Sequence, residues 1–97
     1  MAQQVSLEFA GVTADQYWAV NTLLGIDMDQ SENWPEGIIA HSAATTADGG
    51  LVVTEIWESQ DAQGRFMDSR LGPALAEAAL PPPVRVQWGD VISDVRL

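Results

Sequence analysis

The sequence predicts an α+β domain of order β-α-β-β-α-β, a four-stranded antiparallel sheet with two helices on one face. Three observations predict it. Val5, Leu7 and Phe9 alternate with Ser6 and Glu8, the period-two pattern of a half-buried strand. Thr13-Ala14-Asp15-Gln16 has the spacing of a capping box at a helix start. Two strand-like runs, Ile38 to Ala44 and Leu51 to Trp57, flank Ala47-Asp48-Gly49-Gly50, which reads as a hairpin connection of about four residues.

Taken in order, the first strand ends at Gly11. Thr13 caps a helix in which Ala14, Tyr17, Trp18, Asn21 and Leu24 recur at helical spacing with Val20 beside them, and Val12 and Tyr17 are placed to form a hydrophobic staple. Gly25 stands where a left-handed cap is needed. Asp27 to Asn33 is polar and acidic. Its start is similar to a calcium loop, but the sixth-position glycine is missing and the twelfth position is Ile38 rather than Glu, so that reading is rejected. Trp34-Pro35-Glu36-Gly37 predicts a type I turn, with proline second and glycine fourth. Ser59 offers the cap of a second helix running through Phe66, Met67 and Leu71, which Gly72-Pro73 is expected to break before Ala74 to Leu80 resumes a helical composition. After Pro81-Pro82-Pro83, Val84, Val86 and Trp88 alternate with Arg85 and Gln87 as the last strand, and Gly89 is expected to mark a bulge or bend before the tail. The order is the ferredoxin-like split βαβ plan.

The 97 residues make one domain, 1–97, and the 46% hydrophobic content with four Trp is that of a folding chain rather than a disordered one. There is no cysteine, hence neither a disulfide framework nor a thiolate metal site. The first residues carry no basic segment followed by an apolar run, and no stretch approaches the roughly 20 apolar residues of a membrane span, so the expected location is cytoplasmic. Fourteen acidic side chains against four arginines and no lysine give a formal charge of -10 spread along the chain. That field repels phosphate backbones and anionic lipids, so neither nucleic acid nor membrane is expected as a partner.

A second copy of the chain is the expected partner. Strands two and three are apolar in both phases, with Ile38 beside Ile39, Leu51 beside Val52 and Val53, and Ile56 beside Trp57. Two helices cover one face only, and each large side chain left exposed forgoes roughly 1.5–3 kcal/mol. A self-complementary two-fold dimer is the commonest way to cover the other face.

Glu55-Ile56-Trp57-Glu58-Ser59 at the end of strand three, Phe66 in the second helix and the Arg70-Leu71-Gly72-Pro73 helix break carry a resemblance over essentially the whole chain. In these features the chain resembles the dimeric α+β barrel proteins, and within them the antibiotic biosynthesis monooxygenase-like branch. The resemblance implies a barrel built from two facing sheets, and a pocket between each subunit's helices and its own sheet. It departs from the haem-degrading branch, which uses a histidine in the second helix and an asparagine on the first strand. Residues 59–80 and 4–10 contain neither type, so haem ligation in that manner is not available and no cofactor is expected.

His41 is the only histidine, in phase with Ile39 and Ala43 on strand two, and the hairpin brings it near Thr54, Glu55 or Ile56. A neighbouring carboxylate would fix its tautomer, as a general base requires; the alternative is a hydrogen-bonded structural histidine. Trp57 with Tyr17, Trp18 and Phe66 could wall a pocket for a small aromatic ligand, with Asn21 pointing inward; the alternative is plain core. Arg65 and Arg70 could orient an anionic ligand, although helix arginines more often stay solvated or pair with carboxylates. Arg85 is placed to neutralise Glu8 if the first and last strands are neighbours. No nucleophile elbow, phosphate loop, zinc-binding His pair or dinucleotide fingerprint occurs. Two functions remain: a cofactor-independent monooxygenase acting on an aromatic or polyketide-like substrate, and a non-catalytic dimeric structural or ligand-sensing module.

Overall fold

A computed structural model describes residues 1–27 and 33–97; most of the acidic loop read as similar to a calcium loop lies outside the described residues. The elements are β1 (Gln3–Phe9), α1 (Ala14–Leu24), β2 (Ile38–Thr45), β3 (Leu51–Trp57), α2 (Gln60–Phe66), a π-helical turn (Met67–Leu71), α3 (Gly72–Glu77) and β4 (Arg85–Asp90). The strands form one sheet in the order β2-β3-β1-β4, antiparallel throughout. This is the predicted ferredoxin-like α+β arrangement.

Register decides which side chains meet. Val5 pairs with Glu55 on one side and Trp88 on the other, and Leu7 pairs with Val53 and Val86. Val5, Leu7, Phe9, Leu51 and Val53 therefore share the face on which Val20 of α1, Phe66 of α2 and Leu75 of α3 complete the core. Burying Val5, Leu7 and Phe9 stabilises the fold by roughly 1.5–3 kcal/mol each relative to exposure.

The first helix forms as its caps dictate. Gln16 N–H donates to Thr13 Oγ1 at 3.2 Å while the Thr13 N–H donates to Gln16 Oε1 at 2.9 Å, closing the capping box. Gly25 ends the helix at φ +71°, its N–H returning to the Asn21 and Thr22 carbonyls.

Three local expectations are corrected. Gly72-Pro73 does not break the second helix, because Met67, Leu71 and Gly72 all keep right-handed helical backbone. Proline lacks an N–H, and its ring would crowd the carbonyl four residues back. A π turn relieves this by sending the Gly72 N–H five residues back, to Met67 O. Glycine is needed there, since a Cβ at position 72 would stand 2.8 Å from that oxygen. The turn before β2 sits one residue later than predicted: Ile38 N–H bonds Pro35 O, and Gly37 occupies the third position at φ +92°. That positive φ, which only glycine adopts cheaply, selects the register of the turn. Gly89 marks no bulge, pairing in register with Gln4.

The bulge lies in β2 instead. The register shifts between Ile38, opposite Trp57, and Ala40, opposite Ile56. Ile39 is the extra residue and is 48% exposed. His41 thus keeps phase with Ala43 but not with Ile39, and the helix-side face holds both Ile38 and His41. Part of the two-sided apolarity of this strand comes from that irregularity. The face away from the helices carries Val52 and a buried Ile56 among smaller and polar residues such as Ala40, Ser42 and Thr54. Glu8 and Arg85 are cross-strand partners on that same face, both exposed. Among the described residues no helix is long and apolar enough to cross a membrane.

Candidate functional site

A cavity of about 60 Å³ lies between the helices and the sheet. Its walls are apolar, with Leu7 and Val53 from the sheet, Val20 from α1 and Phe66, Leu71 and Leu75 from the second helical arm. Among the described residues, Tyr17, Asn21, His41 and Glu55 bring polar side chains to the lining.

Three of these polar groups form a chain. His41 and Glu55 are register partners across the hairpin, and His41 Nδ1 lies 2.8 Å from Glu55 Oε2. Tyr17 reaches down from α1 and places its hydroxyl 2.6 Å from His41 Nε2. Behind the carboxylate, Trp57 Nε1 donates to Glu55 Oε1 at 3.1 Å. A carboxylate can only accept, so in the neutral imidazole the proton belongs on Nδ1 and Nε2 presents a lone pair to the Tyr17 hydroxyl. This order of tyrosine, imidazole and carboxylate is the arrangement of a base oriented by an acceptor behind it.

Burial pushes the Tyr17 phenol above its ordinary value of 10.0; the Asn21 amide one turn on works against this, and the Glu55 charge adds to it. The phenol is therefore protonated near neutral pH and acts as donor to His41. The Trp34 ring, its centroid 5.2 Å from that of His41, closes the imidazole from the loop side.

Of the five side chains expected to meet at a pocket, Tyr17, Asn21, His41 and Phe66 line the cavity together. Trp57 does not. It is fully buried, with its ring centroid 5.8 Å from that of Phe66, and its indole supports Glu55 from behind. The reason is its phase: the indole packs beneath α2 and sends its N–H two residues back along its own strand face. Trp18, also expected at the wall, is 53% exposed. Arg70 is not an anion receptor: its Nη2 donates to the Leu24 and Asn33 carbonyls, each at 2.9 Å, and its guanidinium lies over the Phe66 ring. Arg65 is exposed. The hairpin register placed Glu55 within reach of His41 but carried no sign of its central position. Trp34 gave no signal, because its place depends on a loop. Among the described residues no group of three or more potential metal ligands converges.

Comparison with solved structures places the fold. A candidate antibiotic biosynthesis monooxygenase from Chloroflexus aurantiacus J-10-fl superposes with a TM-score of 0.67 at 13% identity, covering 99% of this chain and 98% of that one. Rv0793 from Mycobacterium tuberculosis gives 0.65 at 21% identity, covering 99% and 100%. A variant of SnoaB, a cofactor-independent oxygenase from Streptomyces nogalater, gives 0.65 at 13% identity, covering 97% and 96%. No family model matches the chain, and no curated protein matches it. At these identities the likeness speaks for architecture alone, and the chain has the fold of the antibiotic biosynthesis monooxygenase-like α+β proteins.

Proposed function

We propose that the protein is a cofactor-independent oxygenase of a small electron-rich aromatic compound, with His41 as the base. The observation that carries this reading is the Tyr17–His41–Glu55 chain at the polar end of an apolar cavity. Oxygenation of an electron-rich phenol without a cofactor converts the phenol and dioxygen to a quinone and one water, all four electrons coming from the ring. The protein must then supply a base that ionises the ring hydroxyl and an environment that keeps water from the anion. His41, oriented by Glu55, supplies the first, and the apolar walls supply the second. Tyr17 passes the proton or gives way to the substrate hydroxyl. The fold shared with a cofactor-independent oxygenase supports the same reading.

The reading includes a homodimer, formed by a second copy laid on the sheet face that carries Val52 and Ile56, and a cytoplasmic location. The test is dioxygen uptake with α-naphthol as substrate, followed together with naphthoquinone absorbance. Uptake above the uncatalysed rate, lost in His41→Ala, is expected. Equal rates with and without protein, for this and related phenols, would leave the second reading, a non-catalytic dimeric structural or ligand-sensing module. The cavity volume favours the structural form of that second reading: about 60 Å³ is well under the ~150 Å³ of an apolar cavity that holds benzene.

A further inference from the structure

Tyr17 and Trp18 form a pair that the base chain does not use. Tyr17 lines the cavity, Trp18 beside it is 53% exposed, and their rings meet edge to face with centroids 5.1 Å apart. Among the described residues Trp18 is the one exposed tryptophan, and Tyr17 is the only tyrosine of the chain. An aromatic path therefore runs inward from solvent. It passes from Trp18 to Tyr17 by ring contact and from Tyr17 to His41 by the 2.6 Å hydrogen bond.

Indole, phenol and thiol are the side chains that give up single electrons most readily, and this chain has no cysteine to compete. A phenol that loses an electron becomes a strong acid, so its oxidation is easy only where a base takes the proton in the same step. His41 Nε2 is such a base, already in hydrogen-bond contact with the hydroxyl. The imidazolium formed would face the Glu55 carboxylate 2.8 Å away, a pair neutral overall rather than an isolated charge beside the cavity. Burial raises the Tyr17 pKa, which keeps the phenol protonated near neutral pH, so the electron leaves an O–H group rather than a phenolate.

We propose that Tyr17 is a redox-active side chain, connected to the surface by Trp18 and to a proton acceptor by His41. The oxidant is a one-electron acceptor in solution that touches Trp18. It removes one electron from the indole, and the indole radical cation takes one electron in turn from Tyr17. In that second step the Tyr17 O–H bond breaks and an N–H bond forms at His41 Nε2. The products are the reduced oxidant, closed-shell Trp18, a neutral phenoxyl at Tyr17 and a His41 imidazolium. Any one-electron donor returns the phenoxyl to phenol, with the proton coming back from His41. The relay needs no substrate in the cavity, so it stands or falls apart from the oxygenase reading.

Flash-quench oxidation of the intact chain tests it, with tris(bipyridyl)ruthenium(III) generated in solution at a pH where the imidazole is neutral. This cation is attracted by the -10 charge of the chain. Indolyl radical absorbance should decay as tyrosyl absorbance rises, and any tyrosyl signal belongs to Tyr17. The rise should be slower in deuterium oxide, because a proton moves with the electron. His41→Gln can still accept from Tyr17 and donate to Glu55 but takes up no proton. It should slow tyrosyl formation at least about tenfold, a positioned base being worth ~10²–10⁴ in rate. Trp18→Phe, at an exposed position, should fold normally and also slow the rise. No tyrosyl radical in the wild type, no isotope effect, or a wild-type rate in His41→Gln would overturn the proposal. A wild-type rate in Trp18→Phe would overturn it as well, since the electron would then leave by another route. Should His41→Gln fail to melt cooperatively, the wild-type isotope effect and Trp18→Phe decide the matter.

Discussion

Trp57 donates its indole N–H to Glu55 Oε1 at 3.1 Å although it lines no part of the cavity. The aromatic residue that looks most like a pocket wall is thus a support, holding the carboxylate that in turn holds His41. Trp57→Phe should keep most of the packing but leave one oxygen of a buried carboxylate unpaired, destabilising by about 1–3 kcal/mol. Trp57→Ala should cost about 3–5 kcal/mol, since it also opens a cavity under α2. Urea unfolding of both variants separates hydrogen bond from packing. Equal losses in the two would mean that the bond to Glu55 is worth little.

Tyr17 is the only tyrosine, so its ionisation can be followed by tyrosinate absorbance. Its pKa is raised in the folded chain, mainly by burial. The folded state therefore holds this proton more tightly than the unfolded state does. The resulting stability is fully present below the ordinary phenol value of about 10 and is lost as pH rises through the raised value. Unfolding midpoints should fall more steeply above that pH in the wild type than in Tyr17→Phe. Parallel curves would contradict the buried phenol.

Gly37 has φ +92°, and a Cβ on it would meet the Ala62 Cβ at 2.7 Å, whereas Gly11, at φ +67°, has open space around it. Both alanine variants should destabilise through backbone strain, by about 1 kcal/mol at Gly11. Gly37→Ala should cost about 1–3 kcal/mol more, because Ala62 is buried at the start of α2 and has nowhere to go. Thermal melts of the pair measure the difference.

Arg70→Met should keep the stem against Phe66 and lose both carbonyl bonds, which tie the end of α1 and the Asn33 loop to the second helical arm. A loss of about 2–3 kcal/mol is expected. Amide exchange at Gly25 and Ile26 should quicken, and unchanged protection there would show that the clamp is redundant.

The elements were legible in the sequence because each rests on a local rule: the Thr13–Gln16 capping box, the Gly25 cap, the alternation of Val5, Leu7 and Phe9, and the Gly-rich hairpin. What stayed hidden depends on contacts between elements. Ile38 and Ile39 are equally apolar, so nothing local tells which one the bulge expels, and that choice alone decides whether His41 shares a face with Ile38. Gly72-Pro73 reads as a stop, and becomes a π turn only because Ala74 and Leu75 still gain by packing on the core. Tyr17, Asn21, His41 and Phe66 could be nominated from helical and strand phase. The reversal of roles between Trp57 and Glu55 could not, since it turns on where one indole N–H points.

The oligomeric reading has its own test. Thr54 lies mid-strand on the sheet face away from the helices, opposite Ser6 and Ser42. Sedimentation equilibrium should give twice the 10.5 kDa chain mass for the wild type and the single mass for Thr54→Arg, with both chains folded. A wild-type monomer would leave the sheet face open.

The most direct test of the base chain is the nitrogen spectrum of the imidazole, which is unambiguous because His41 is the only histidine. For the neutral imidazole, two-bond nitrogen–proton correlation should show Nδ1 protonated and Nε2 as a hydrogen-bonded acceptor. In Tyr17→Phe the Nε2 resonance should shift toward that of an unbonded acceptor. A neutral ring with its proton on Nε2, or an Nε2 resonance that Tyr17→Phe does not move, would contradict the account.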